Sequence, residues 1–293
     1  MTTKPIVTIG LPVYNSERYL QQSLESLLAQ TWRDFVLVIS DNASTDSTPD
    51  ICQRYARADS RIRYHRNAVN IGNPRNFNRV FELTETPYLK WSTADDFWAP
   101  SFLEKALEVM ERDPGVALCY PQAVLVDAQG QNPQNYDDVM HLVQDDPAER
   151  FLAVVKNIKL AHQHLGVIRM SHLRRTRLLG MHSGSDINLL AELSLYGRYV
   201  ELPERLFFRR FHKDSGSWKR GDAAHEARVY HAASRRIGFP KWRTQIGFFS
   251  AALRSPLPIA SKLHVSAVLA RRFAWQRSEL KDELIRYLTQ RGA

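Results

Sequence analysis

Apolar blocks separated by polar turns mark out the first 130 positions. Ile6 to Leu11 is a mostly apolar run closed by Pro12, and Phe35 to Ser40 is a second; both predict buried strands. Ile62 to Arg66 and Tyr88 to Trp91 predict two more, the last opened by Pro87. Helical spacing fills the gaps. Leu20, Leu24, Leu27 and Leu28 form one face over Glu17 to Gln30, with Asn15 or Ser16 as the cap. Further helices are expected from Asp46 or Ser47 through Arg57, over Asn76 to Leu83, and over Ser101 to Arg112. Val116 to Tyr120 and Ala123 to Val126 predict two strands before a turn near Asp127 to Gln131. Uniformly apolar strands alternating with helices predict an α/β fold, with a mostly parallel sheet covered on both faces.

The pattern weakens beyond residue 130. Phe151 to Lys159 predicts a helix, Leu165 to Arg169 a strand, Ser171 to Leu179 a short helix and Ile187 to Tyr196 an apolar helix. Tyr199 to Pro203 predicts a strand, with Leu206 to His212 following it. Ala223 to Arg236, Ile246 to Leu253 and Leu263 to Trp275 have helical patterns, the last two separated by Pro256 and Pro258. His162 and His164 share a face if that stretch is extended. With no third partner nearby, they read as polar site-lining or surface residues rather than metal ligands.

Composition narrows the classes. The 293 residues, 44% of them hydrophobic, suffice for one large domain or a domain with an appendage. Cys52 and Cys119 have no metal spacing, which suits a reducing cytoplasm. The N-terminal residues lead directly into a strand, and no apolar run is long enough to span a bilayer. The net charge of +9 is concentrated late, as in Arg209-Arg210, Arg235-Arg236 and Arg271-Arg272. Such charge suits nucleic acid, anionic lipid or a phosphorylated ligand. No aromatic–basic stacking motif demands nucleic acid.

Polar residues collect just after the strands, at Pro12 to Asn15, Asp41 to Ser44 and Asp95-Asp96. Three such loops on one sheet edge form a ligand crevice. Asp95 and Asp96 suggest a divalent metal holding a phosphorylated substrate, because adjacent carboxylates in a dry crevice need a cation or hydrogen bonds. The structural alternative makes Asp95 the cap of the helix at Pro100 and leaves Asp96 solvated. G-x-G-x-x-G, G-x-x-x-x-G-K-[ST] and G-x-S-x-G are all absent, which disfavours a dinucleotide-binding dehydrogenase, a P-loop NTPase and a nucleophile elbow.

Leu11-Pro12-Val13-Tyr14-Asn15, Asp41-Asn42-Ala43-Ser44-Thr45-Asp46, Asn70-Ile71-Gly72 with Arg75-Asn76, and Ala94-Asp95-Asp96 occur in that order. Together they resemble the family 2 glycosyltransferases. The likeness covers roughly the first 130 residues in register and continues more weakly to about residue 215. It implies a GT-A fold, a nucleotide-diphosphate sugar donor and inversion at the anomeric carbon. Pro12, Tyr14 and Asn15 would line the nucleotide pocket, and Asp41 would accept from the base. Arg75 and Asn76 would lie near the base or diphosphate. Asp95 stands at the last position of the family's D-x-D and would hold Mg²⁺ or Mn²⁺, with Asp96 beside it on the substrate side. Thr93 replaces the first Asp of that motif, and Asn42 replaces a common second Asp after strand two.

The resemblance also places an acceptor base at Asp186, for which an N-cap role at Ser185 or Asp186 is the structural alternative. Arg210-x-His212 before a Ser/Gly segment is similar to the loop that closes over the donor. There His212 would bind metal or diphosphate, Arg210 or Lys213 would neutralise the leaving group, and Trp218 would stack on a sugar. The reading divides the chain into a nucleotide-sugar half (1–130), an acceptor half with base and lid (131–220) and a basic helical appendage (221–293). The donor would be UDP- or dTDP-linked and the acceptor a glycan or lipid-linked sugar, in the cytoplasm or at the inner membrane face. Residues 240–293 could touch that membrane peripherally, pack on the catalytic domain or bind a second subunit in a homo-oligomer. Alternatives are a non-catalytic nucleotide-binding scaffold, or a sugar nucleotidyltransferase, whose usual Gly-rich basic loop after strand one is missing.

Overall fold

The computed structural model describes residues 5–213 and 239–289. Trp218 and the helix expected over 223–236 lie outside the described residues. The strands, in chain order, are β1 (Val7–Val13), β2 (Phe35–Asp41), β3 (Ile62–Arg66), β4 (Tyr88–Trp91), β5 (Phe97–Trp98), β6 (Val116–Val126), β7 (Gln134–Tyr136), β8 (Val167–Arg169) and β9 (Arg198–Arg210). The first helices are α1 (Glu17–Leu28), α2 (Thr48–Ala58), α3 (Asn73–Glu82), α4 (Phe102–Arg112) and α5 (Pro147–Asn157). They are followed by α6 (Met170–Leu173), α7 (Ser185–Ser194), α8 (Pro240–Arg254), α9 (Ile259–Trp275) and α10 (Arg277–Thr289).

All nine strands join one sheet, ordered β3-β2-β1-β4-β8-β6-β9-β5, with β7 on β6. β3, β2, β1 and β4 are parallel, and β6 is parallel to β9; β8 runs against both β4 and β6. Every residue of β1, β2 and β4 is buried, as expected of largely apolar strands under helices on both faces. Pro12 is tolerated in central β1 because β4 has already left: the last β1–β4 pair is Gly10–Trp91. The missing N–H would have pointed into that gap.

Between residues 116 and 212 the structure departs from the local pattern in four places. The two strands expected across 116–126 are one, irregular between Pro121 and Ala123 where its register against β9 shifts. The two segments expected across 199–212 are likewise one 13-residue strand, which pairing with β6 holds together. The long partner ladder overrides Pro121 and Pro203, which read as breaks in isolation. His162 to Leu165 forms a 3₁₀ turn instead of a strand, and α6 ends at Leu173, well short of Leu179. The two histidines therefore do not share a face. His162 packs among Tyr136 (5.7 Å) and Phe207 (5.9 Å), whereas His164 faces Phe77 (6.1 Å).

α3 packs tightly on the sheet at Gly10. A Cβ there would come within 2.1 Å of Val80 Cγ1, so only glycine lets β1 and α3 approach this far. Gly10→Ala should destabilise the protein by about 1–3 kcal/mol, the usual range for overpacking. Urea denaturation midpoints measure it, and an unchanged midpoint would mean that α3 can move away freely.

Candidate functional site

The carboxyl ends of β1, β2 and β4 open on one edge, and the end of β9 meets them through the acidic turn. The β1–α1 and β2–α2 loops are stapled together. Asn15 N–H donates to Ser44 Oγ (3.0 Å), Thr45 N–H donates to Asn15 Oδ1 (2.9 Å), and Ser16 N–H donates to Thr48 Oγ1 (2.8 Å). Asn15 and Ala43 hold positive φ, 47° and 60°, in these two loops. Such backbone persists only where surrounding bonds over-determine it. Tyr14 projects beside them, 43% exposed.

Asp41 ends β2 fully buried and engaged. Its Oδ1 accepts from Ser44 N–H (2.9 Å), and its Oδ2 accepts from Tyr64 Oη (2.7 Å) and Arg66 Nη1 (3.4 Å). Partial burial and the bond to this carboxylate push the half-buried Tyr64 hydroxyl far above its ordinary pKa. Asn76 is also buried. Its Oδ1 accepts from Ser40 Oγ (2.7 Å) and Asn67 Nδ2 (3.0 Å), and its Nδ2 donates to Ser40 O (2.8 Å). Asp41 and Asn76 therefore shape the crevice by fastening the loops that line it. Arg75, one residue earlier on α3, is exposed.

Neither structural alternative for the acidic turn holds. The N-cap of α4 is Ser101, so Asp95 caps nothing there. Asp96 is 5% exposed, accepting Arg210 N–H at Oδ1 (2.8 Å) and the Thr93 hydroxyl at Oδ2. Thr93 thus braces Asp96 from the position where a first motif Asp would stand. Burial and the neighbouring Asp95 raise the Asp96 pKa to about 7. Beneath the turn, Lys90 is buried in β4. Its Nζ donates to Trp91 O (3.2 Å) and lies 3.5 Å from the Trp98 ring centre, and burial lowers its pKa well below the usual lysine value.

Arg210, expected with Lys213 as a candidate to neutralise the leaving group, is packed as a buried strut. It is 2% exposed. Its Nε donates to Asp95 O (2.9 Å), Nη1 to Ala128 O (3.0 Å) and Nη2 to Gln22 Oε1, while its guanidinium carbon lies 4.5 Å from the Tyr19 ring centre. Two residues on, His212 Nε2 lies 3.2 Å from Asp95 Oδ2, with its ring 5.0 Å from that of Tyr19. Strand β9 therefore delivers both the strut and the histidine. Sequence reasoning missed Gln22, Tyr19, Tyr64, Arg66 and Lys90. Only Lys90 carried a signal, as a lysine within an otherwise apolar strand.

The Asp95–His212 pair fits a divalent cation. Two donor atoms about 2.1 Å from one ion, at right angles, stand about 3.0 Å apart. Among the described residues no group of three or more His, Cys, Asp or Glu side chains could hold a metal. The ion would thus need oxygens from a ligand to complete its shell, as Mg²⁺ commonly does with phosphates.

Asp186 occupies the first turn of α7. The N-cap is Gly184 (φ 86°), so the capping alternative passes to glycine, and Asp186 Oδ1 accepts the adjacent Ile187 N–H (2.9 Å). Burial lowers the His164 pKa, and the negative Asp186 opposes that shift. Phe77 links this corner to the end of β4, lying 6.1 Å from both Trp91 and His164.

The model of "Glycosyl transferase family 2" matches residues 8–176. An uncharacterized glycosyltransferase of Methanocaldococcus jannaschii is 30% identical over 129 residues, 43% of this chain and 44% of that protein. The putative teichuronic acid biosynthesis glycosyltransferase TuaG of Bacillus subtilis is 28% identical over 176 residues, 58% of this chain and 68% of its own. Matches to curated relatives span from 32% to 86% of their length, and under half for the M. jannaschii protein. TarS of S. aureus in complex with UDP-GlcNAc superposes with a TM-score of 0.68 at 17% identity, over 94% of this chain and 74% of that one. A mannosyltransferase from Pyrobaculum calidifontis, in complex with GDP-Man and Mn²⁺, gives 0.57 at 18% identity, over 98% and 88%. At these identities the structures establish a shared GT-A-like fold.

Asp96 sets a pH signature. The folded protein keeps its proton up to about pH 7, whereas an unfolded carboxyl releases it near about pH 4. Its contribution to stability is complete below the unfolded value and is lost as pH rises through the folded one. Asp96→Asn lacks this loss. In chelator, its stability relative to wild type should therefore rise between pH 5 and pH 8, as read from urea midpoints; a constant difference would show that Asp96 is ionised throughout.

Proposed function

Because the chain belongs to glycosyl transferase family 2 and is a glycosyltransferase, we propose that it moves a sugar from a nucleotide diphosphate to an acceptor hydroxyl with inversion. The observation that carries this reading is the Asp95–His212 pair, 3.2 Å apart beside the two stapled loops. The donor base lies against the loops organised by Asp41 and Asn15, with Pro12 and Tyr14 lining the pocket and Arg75 and Asn76 on its α3 side. Asp41 acts on the base largely through this framework, since both of its oxygens already accept bonds. Uridine and thymidine donors are favoured.

Asp95 and His212 would hold Mg²⁺ or Mn²⁺ against the diphosphate; the bound ion supplies charge neutralisation for the leaving group. The Mn²⁺ in the P. calidifontis complex supports this assignment. Asp96 and Arg210 fix the turn from below, so that Asp95 needs little rearrangement. Asp186 accepts the proton of the acceptor hydroxyl. The acceptor oxygen bonds to the anomeric carbon as the bond from that carbon to the phosphate oxygen breaks, and the nucleotide diphosphate departs. In-line attack from the opposite side inverts the centre without a covalent sugar–enzyme intermediate. The acceptor is a glycan or lipid-linked sugar in polysaccharide or glycolipid assembly, as the name of TuaG suggests, at the inner face of the membrane.

Asp186→Asn should lower kcat by about 10²–10⁴, the usual range for a lost general base, with donor KM little changed. Steady-state release of nucleotide diphosphate measures this. A kcat within a few-fold of wild type would remove Asp186 as the base.

A further inference from the structure

The hairpin of α8 and α9 has two unlike faces. Its inner face packs on the catalytic body. Phe248 meets Phe151 edge-on at 6.2 Å, and Val265 and Leu269 of α9 are buried. Polar bonds fasten the same face to the acceptor corner. Asn188 Nδ2 donates to Thr244 O (2.9 Å), Arg243 Nη1 donates to Met181 O (3.1 Å) and Arg254 Nη2 donates to Glu192 Oε1 (2.8 Å). Asn188 and Glu192 belong to α7, which also carries Asp186.

The outer face of α9 is apolar where solvent would favour polar side chains. Ile259, Leu263, Ala267, Ala270 and Ala274 recur at helical spacing, and all are exposed. Ile259 is 77% and Leu263 67% exposed, and Trp275 at the helix end reaches 89%. On α8, Ile246 and Leu253, one heptad apart, are each 59% exposed. Lys262 and Arg271 flank the α9 stripe. Residues 240–275 contain no Asp or Glu; Arg243 and Arg254 bond to the inner side and Lys241 pairs with Glu279, so Lys262 and Arg271 are the cations that border the stripe.

We propose that this outer face docks on the surface of an anionic lipid bilayer. An apolar stripe bordered by cations and ended by a tryptophan suits the boundary between headgroups and acyl chains. Anionic headgroups answer the flanking Lys262 and Arg271. A second copy of the chain fits less well, because a two-fold contact would set this cationic face against itself. Among the described residues no helix is long and apolar enough to cross a membrane, so the contact is interfacial. The bilayer contact stands on the hairpin alone. Its consequence, that α7 is held at the membrane to meet a lipid-linked acceptor, rests on the role proposed for Asp186.

Co-sedimentation of the full chain tests this, using vesicles of phosphatidylcholine alone and vesicles with added phosphatidylglycerol. The protein should bind the anionic vesicles, release as salt rises, and show a blue-shifted tryptophan emission that Trp275→Phe diminishes. The double variants Ile259→Glu/Leu263→Glu and Lys262→Glu/Arg271→Glu should each weaken binding by about tenfold or more. Melting shifts with UDP and Mn²⁺ show whether each variant remains folded. Absence of binding to anionic vesicles overturns the proposal, as does binding that neither double variant alters. A wild-type dimer dispersed by Leu263→Glu, without vesicle binding, would assign the face to a second copy. Vesicle binding with no nucleotide response from any variant or wild type would leave the docking surface standing and remove the donor site.

Discussion

The buried guanidinium of Arg210 must find inside the protein the hydrogen bonds it has lost to water. It draws them from the Asp95 backbone, the Ala128 carbonyl and Gln22, and it lies over Tyr19. Those groups belong to the acidic turn, the turn after β6, and α1. A single side chain thus ties together segments from positions 19 to 210, and its own backbone N–H secures Asp96. The charge is fixed by unforgiving geometry, since any partner that moves away leaves a buried cation unsatisfied. His212 inherits its position from this strut. Its 3.2 Å approach to Asp95 follows from where β9 ends.

A similar constraint acts on the nucleotide side by other means. There the Asn15, Asp41, Ser44 and Asn76 network holds two loops whose backbones include positive φ at non-glycine positions. Asp41 and Asn76, which a motif comparison assigns to ligand contact, therefore fasten the loops through their own side-chain bonds. Such a division is expected of a site that needs preorganised dipoles: the groups that fix the loops are as specific in identity as those that touch the substrate.

Much of this was legible in the sequence where structure is local. The mostly apolar β1, β2 and β4 and the helices between them follow directly from the periodicity, and the acidic turn falls where the strand end predicts. The pairing of Asp95 with His212, suggested by family likeness, is brought about by 13-residue β9. That strand could not be read as one element because Pro203 interrupts its pattern and its ladder with β6 is non-local. The buried position of Arg210 was hidden for the same reason. Only the packing of α1 and the turn after β6 reveals that its side chain points inward. The His162–His164 pair failed through a 3₁₀ turn that alternation cannot distinguish from a strand.

The central claim is that two protein side chains and a nucleotide diphosphate together make one metal site. Electron paramagnetic resonance of Mn²⁺ during titration into the full chain tests it directly, with and without UDP, in wild type, Asp95→Asn and His212→Gln. The account predicts that free Mn²⁺ signal is lost with wild type only when the nucleotide is present, beyond what UDP alone binds, and that either substitution abolishes that excess. Tight Mn²⁺ binding without nucleotide, or binding unchanged in both variants, would contradict it.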